Sequence, residues 1–557
     1  MLTRPKVTEF AATDLVKLQR VPRDVARWQK AQQQVLRNLP GAALANYREL
    51  VQRFPGISQL WFELGIAASG NLEFAAAETA FGRAEELSPA DANMLVLLGQ
   101  QYHRLRLLER ARACFERAVA ANPTSIHAQL SLAAWCERER RLDRAWECVE
   151  ACVKLQPGNP QALCVRALLL HRKDQNTEAE ALLRDLIRRD SADPNVRHSS
   201  RHLLALVLDE LGQYSEAFRW LCEAKTVLRN PSELTRMQRD YDEADSRRRE
   251  LLKSLTPEIL RRWRQEGPAN HIDIQLALLG GHPRSGTTLL EQILGANPAV
   301  EAFDEPEAFA QEIWNTLAPM PPAPVLKLAT LDGLSKETRI HLRNRYLRSL
   351  LRDKRGQGGL TRKVSGDSLN SREFGFQQGT NGNGTHPQLL LDKNPSPTTA
   401  LYLWLRLFPE LKVIIALRDP RDVVISCFFQ NLALTPTNAN FLSLERTVIH
   451  YANLMDVWLR MRELGEFDWI ETRYEDLVEH VEVEGKRVTE FVGMPWHPDQ
   501  AKHHEIARQK FLFAPTFNEV AKPLYNKSVG RWKNYAKELE PIQERLAPYC
   551  KAFGYAH

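Results

Sequence analysis

Two architectures in one chain are predicted: an N-terminal all-α solenoid of repeated helix pairs, then an α/β domain with a central parallel sheet around a phosphate-loop-like turn. Two observations carry this prediction. Small residues and prolines recur with a 34-residue period through the first half, the mark of stacked supersecondary units. From residue 272 a short apolar run enters a glycine-rich turn and leaves it as an apolar helix, the order of a phosphate-binding strand, turn and helix. Composition agrees: 557 residues, 43% hydrophobic and 26% charged, suffice for two or three domains and exclude wholesale disorder and collagen.

No stretch approaches the roughly 18 consecutive apolar residues of a spanning helix, and Met1–Phe10 has no apolar segment behind its basic residues. Neither a membrane span nor a signal peptide is expected, and the predicted location is cytoplasmic. Eight cysteines, none spaced Cys-x-x-Cys, read as small buried hydrophobes of a reducing compartment rather than as a disulfide frame or zinc site, and no metal is expected. A net charge of +6 suits an anionic small molecule and does not point to nucleic acid.

The repeat columns are explicit. Pro55, Pro89, Pro123 and Pro157 share the period, as do Gly65, Gly99, Ala133 and Ala167, and again Ala77, Ala111, Ala145 and Ala179. Ala217 follows Ala179 by 38 residues, so one unit carries a four-residue insertion, and Ala224 then repeats the interval from Ala77 to Ala84. Ala43 and Tyr47 extend the phase upstream by one degenerate unit. Small side chains let paired antiparallel helices close to about 8–10 Å, with Phe81 and Phe115 filling the groove between neighbours. An ordinary helical bundle would not hold a strict period. Residues 24–230 resemble the tetratricopeptide repeat family, with five or six units, which implies a curved surface for peptide or protein segments. Residues 231–270 lose the period, and the charged run Arg236–Arg249 reads as a solvated helix linking two domains.

The second domain, residues 271–557, opens on the strand Ile274–Leu279 and the turn Gly280-Gly281-His282-Pro283-Arg284-Ser285-Gly286-Thr287-Thr288, ahead of the helical Leu289–Leu294. A glycine turn opening a helix presents unpaired N–H groups at the positive end of the helix dipole, which is an anion site. Arg284 adds a cation with bidentate reach, and Ser285, Thr287 and Thr288 add hydroxyls. The spacing from Gly281 to Gly286 is that of a nucleoside-triphosphate loop. Thr287, however, stands where that motif needs the lysine that reaches the β- and γ-phosphates, which argues against ATP or GTP hydrolysis.

The stretch from Pro283 to Thr288 resembles the 5′-phosphosulfate loop of sulfotransferases that use 3′-phosphoadenosine 5′-phosphosulfate (PAPS), in the arginine-containing form of the tyrosylprotein sulfotransferases and their bacterial relatives. The resemblance covers roughly residues 272–555. It implies that Pro283, Arg284, Ser285, Gly286, Thr287 and Thr288 hold the 5′ end of the nucleotide. It further implies a 3′-phosphate site of one Arg and one Ser, and Arg418 and Ser426, after the apolar strand Leu411–Leu417, fit that pair in type and spacing. Within Lys522–Trp532, the resemblance sets Tyr525, Ser528 and Arg531 over the adenosine and its phosphates, while Trp532 reads as core. Tyr474-Glu475-Asp476-Leu477 resembles a late family segment and reads as structural.

By register, Glu305 falls on the catalytic base of the tyrosylprotein enzymes, with Asp304 beside it; other relatives use a histidine, for which His282 is the nearby candidate. Lys393, in Leu391-Asp392-Lys393-Asn394-Pro395, falls on the lysine that stabilises the bridging oxygen as sulfate leaves. Arg284 is a candidate for the same charge, and Thr516 falls where relatives carry a helper serine. Residues 355–386, rich in Gly, Asn and Gln, read as a flexible insertion beside the site. The resemblance implies sulfuryl transfer from PAPS to an acceptor hydroxyl, led by tyrosine on a protein or peptide that the repeats recruit. A carbohydrate or small-molecule hydroxyl, and a nucleotide-binding scaffold without turnover, are the alternatives, and a homodimer is left open.

Overall fold

The computed structural model describes residues 16–555 apart from 17, 38, 72, 228–229, 272–273, 319–325, 354–386, 433 and 510–527. It divides into two compact units, with the division between Val165 and Arg166. In the first unit, the leading helices of successive pairs, Ser58–Gly70, Ala92–Arg104 and Ile126–Arg138, start at the period seen in the sequence, as do their partners Phe74–Leu87, Leu108–Ala121 and Leu142–Leu155. The helices Pro22–Leu36 and Pro40–Arg53 precede them. Ala77, Ala111 and Ala145 are fully buried. A Cβ at Gly65 would overlap the Phe81 ring, and one at Gly99 would lie 2.8 Å from Phe115, so the aromatic rings fill the space that the glycines leave. Asp91 and Ser125 cap the helices behind them, each accepting from backbone N–H groups of the first turn.

A further periodic column is conformational. Arg106, Arg140 and Asp174 close the turns inside successive pairs at φ of 59°, 61° and 59°, and Gly212 takes the same place at 75°. The division falls within the helix Pro160–Arg172, so the repeat helices Asn176–Arg188, α1 (Pro194–Glu210) and α2 (Tyr214–Val227) belong to the second unit. Helix α1 starts in phase but has 17 residues where Pro160–Arg172 has 13, so the insertion is one extra helical turn at its C-terminal end.

The charged stretch after the repeats forms the helix Pro231–Ser254, and its charge is partly spent inside the second unit. Asp242 pairs with Arg446 at 2.7 Å, Arg249 donates to Asn453 at 2.6 Å, and Leu251 and Leu252 enter the core. The sheet is fully parallel in the order β2 (Val300–Asp304), β3 (Leu389–Lys393), β1 (Gln275–Gly281), β4 (Lys412–Leu417), β5 (Asp468–Arg473). Helices cover both faces, and β1, β3 and β4 are almost wholly buried, as a parallel sheet requires. The chain leaves β1 for β2 and β3 on one side and adds β4 and β5 on the other. A crevice therefore opens at the C-terminal ends of the central strands. Register places Lys393 opposite both Leu279 and Asp304, and Gly281 opposite Ala416, along that edge.

Among the described residues no helix is long and apolar enough to cross a membrane, and no disulfide links the cysteines. Gly65→Val is expected to destabilise the first unit by about 1–3 kcal/mol through overpacking against Phe81. The check is the urea midpoint of that unit, which Phe81→Leu in the same chain should partly restore.

Candidate functional site

The turn after β1 owes its shape to two glycines. Gly281 lies at φ 116°, where a Cβ would overlap the carbonyl oxygen of Ala416 on β4, and its N–H donates to Thr398 Oγ1 at 2.9 Å. Gly286, at φ 88°, is the N-cap of α3 (Thr287–Leu294), and a Cβ there would sit 2.5 Å from the Tyr474 ring. Between them Arg284 also adopts a left-handed conformation, at φ 75°, a strain that costs on the order of 1 kcal/mol or more in a non-glycine residue. Among the described residues no side chain caps α3. Ser285, Thr287 and Thr288 line its start as buried hydroxyl residues.

The second motif runs from the end of β4 into α4 (Pro420–Phe428), with Asp419 as N-cap. It meets the first motif directly. Arg284 Nε donates to Ser426 Oγ at 3.0 Å, and Arg418 Nη1 donates to the Arg284 carbonyl at 3.2 Å. Arg418 Nη2 donates to the carbonyl of Ser528, and the guanidinium lies 4.8 Å from the Tyr474 ring centroid. Arg418 is 6% exposed, and its Nε has no hydrogen-bond partner among the described residues. Asp422 sits 3.8 Å from Arg418 and accepts from the N–H groups of Gly530 and Trp532 at 2.8 and 2.7 Å. Burial pushes the Asp422 carboxyl up, and the nearby Arg418 charge opposes that rise. Buried hydroxyls, two converging guanidinium groups, an uncapped helix start and an orphaned Arg418 donor fit a ligand with more than one anionic group.

The third cluster is carboxylate and ammonium. Lys393, at the end of β3, is fully buried and lies 2.5 Å from Asp304 Oδ1 and 3.0 Å from Glu305 Oε1. Burial lowers the affinity of its amine for a proton, but the carboxylates of Asp304, Glu305 and Glu291 more than reverse this and hold it above the ordinary lysine value. Lys393 is therefore an ammonium at any physiological pH. Glu305 follows β2 at φ 48°, its N–H donating to the Lys393 carbonyl at 2.8 Å, and its side chain is 48% exposed. The strand end thus turns Glu305 outward while Asp304 stays inside.

His282 is directed elsewhere. It is fully buried, its Nδ1 donates to the Pro283 carbonyl at 2.8 Å, and its Nε2 lies 2.9 Å from His450 Nδ1. Since His282 Nδ1 carries the proton, the second bond runs from His450 to His282. The arrangement serves packing and leaves Glu305 as the exposed base candidate. Arg531 pairs with Asp209 at 2.8 Å and stacks at 4.4 Å on Phe429, so one of its donors faces the repeat helix α1. Ser528 contributes its backbone carbonyl to Arg418. Thr516, Tyr525 and the insertion 355–386 lie outside the described residues. Tyr474, read from the sequence as structural, packs against both Gly286 and Arg418. Thr398, Asp422 and Asp209 carry no motif that would have singled them out.

Burial pushes His282 down to about 4 and His450 well below its ordinary value of 6.5, with His282 adding to the second shift. The unfolded chain binds these protons first on acidification, so the stability they permit is complete above about pH 6.5 and is lost toward pH 4. The urea midpoint of the second unit is expected to fall across that window. His450→Gln, which removes one titrating ring, should make the fall shallower.

Residues 277–498 match the model of the sulfotransferase family. Residues 63–126 match a tetratricopeptide repeat model, and residues 95–227 match the middle TPR-like domain of cilia and flagella-associated protein 70. An uncharacterized protein of Aquifex aeolicus (strain VF5) is 26% identical over 396 residues, covering 70% of this chain and 46% of that protein. Protein-tyrosine sulfotransferase A of Caenorhabditis elegans is 25% identical over 284 residues, covering 50% of this chain and 66% of that protein. The chain thus spans about half the length of the first relative and just under two thirds of the second. Among solved structures, the sulfotransferase domain of the Synechococcus PCC 7002 olefin synthase aligns at 17% identity with a TM-score of 0.32, covering 52% of this chain and 98% of that one. The chain joins tetratricopeptide repeats to a domain of the sulfotransferase family.

Proposed function

We propose that the chain transfers a sulfuryl group from PAPS to an acceptor hydroxyl, with tyrosine on a protein or peptide as the leading acceptor, recruited by the repeats. The observation that carries this reading is the direct contact of the two anion motifs, Arg284 with Ser426 at 3.0 Å and Arg418 with the Arg284 carbonyl at 3.2 Å. A bisphosphorylated nucleotide spans such a pair, whereas a triphosphate loop needs the lysine that Thr287 replaces. PAPS supplies the sulfuryl group, and adenosine 3′,5′-bisphosphate leaves.

The residues divide the work by charge and exposure. Glu305, half-exposed at the crevice, accepts the proton of the acceptor hydroxyl as the oxygen–sulfur bond forms. Lys393 stays cationic and offsets the negative charge that builds on the departing phosphate oxygen, with Asp304 at 2.5 Å fixing its position. Arg284 adds a second positive charge from the loop. Arg418 and Ser426 hold the 3′-phosphate, and the buried hydroxyls of Ser285, Thr287 and Thr288 take the 5′ end. The proposed setting is the cytoplasm, in keeping with eight cysteines that form no disulfide among the described residues.

The test is transfer of labelled sulfate from PAPS to a panel of tyrosine peptides, glycans and phenols. Tyrosine peptides are expected to be the best acceptors. Glu305→Gln should lower kcat by about 10²–10⁴-fold while leaving the affinity for adenosine 3′,5′-bisphosphate within about twofold. Arg418→Ala should weaken that affinity by tenfold or more, on the order of the loss of a charge-assisted pair. No heat on titrating adenosine 3′,5′-bisphosphate into the unaltered chain, or full transfer by Glu305→Gln, overturns the reading.

A further inference from the structure

The extra turn of α1 breaks a period that the preceding units keep, and it carries one carboxylate to a particular place. Had α1 stopped at the length of Pro160–Arg172, Asp209 would lie beyond its end. Asp209 is 14% exposed; its Oδ2 accepts from Arg531 at 2.8 Å, and its Oδ1 accepts from the Tyr535 hydroxyl. Arg531 belongs to the turn whose other side is fastened to the second anion motif. There, Arg418 holds the Ser528 carbonyl, Asp422 takes the N–H groups of Gly530 and Trp532, and Arg421 lies 3.8 Å over the Trp532 ring. The turn is clamped between Asp209 of the repeats and the Arg418 end of the site.

The same helix pair also grips the far end of α4, the helix that bears Ser426. His202 Nε2 donates to the Phe429 carbonyl at 3.0 Å, and Lys225 Nζ donates to the Gln430 carbonyl at 3.3 Å. These carbonyls follow the helix end, where positive and donor groups are favoured. Gln430 Nε2 in turn donates to the Ser426 carbonyl at 3.1 Å.

We propose that Asp209 is a positioning residue for the nucleotide, placed by the extra turn of α1, so that the last repeat is a working part of the nucleotide site. This rests on the PAPS reading above. Arg284 and Arg418 would repel one another in a site without an anion; Asp422 stands beside Arg418 and Asp209 beside Arg531 as fixed counter-charges. Asp209 accepts from one N–H of Arg531 and so sets the direction of its guanidinium, which lies 4.4 Å over the Phe429 ring. Its effect is to hold the turn in the binding geometry beforehand, which raises affinity by lowering the ordering cost.

The experiment uses the full chain and titrates adenosine 3′,5′-bisphosphate calorimetrically into the unaltered protein and into Asp209→Ala, Asp209→Asn and Ser215→Ala. Ser215 lies on the same helix pair and donates to Glu538 at 2.8 Å, and among the described residues it makes no bond to Arg531. Both Asp209 variants are expected to bind about tenfold more weakly, as the loss of one charge-assisted bond allows, with Ser215→Ala unchanged. In turnover assays KM for PAPS should rise with kcat nearly constant, whereas mere misfolding would lower kcat through the active fraction. If Asp209→Ala unfolds, Asp209→Asn, isosteric and uncharged, gives the decision. Unaltered affinity in a folded Asp209 variant overturns the positioning role while leaving the PAPS reading standing. Absence of binding by the unaltered chain overturns both.

Discussion

Arg418 donates to the carbonyl of Arg284, and through this bond the end of β4 is tied to the turn after β1. Two guanidinium groups are thereby kept near each other in a largely buried setting, which is unfavourable unless their charges are met. The structure meets them with a carboxylate at 3.8 Å, backbone carbonyls of Arg284 and Ser528, the Ser426 hydroxyl and the face of Tyr474. Most of these partners are neutral. They orient the cations without cancelling them, so attraction for an incoming anion survives.

Backbone conformation makes the same choice. Arg284 and Glu305, neither of them glycine, both lie at positive φ, at 75° and 48°. Each follows a strand of the parallel sheet, Arg284 after the buried β1 and Glu305 directly after the edge strand β2, where its N–H is held by the Lys393 carbonyl of β3. In Glu305 the result is a carboxylate turned toward the crevice while its neighbour Asp304 remains inside against Lys393. Adjacent acidic residues thus take different environments, one exposed and one enclosed, by a single change of backbone direction.

Much of this was legible in the residues themselves. The 34-residue columns located every repeat pair from Ser58 to Val227, because small side chains at close helix contacts are dictated by packing. The glycine turn was legible because left-handed conformations and close approach to a neighbouring strand leave little other choice. What stayed hidden depends on long-range placement. Arg106, Arg140 and Asp174 adopt the left-handed turn that a glycine would advertise, and their residue types give no sign of it. Tyr474 lies far along the chain from the loop it packs against. The pairing of Arg531 with Asp209 joins residues more than 300 positions apart, and no local pattern announces it.

The position of the division inside the helix Pro160–Arg172 bears on how such a chain is able to change over generations. The contacts of Asp209, His202 and Lys225 all lie behind Val165, in the second unit. The final module differs from the others, because its extra turn carries the carboxylate that pairs with Arg531. Repeat number is therefore expected to vary more readily at the amino-terminal end than in the last module.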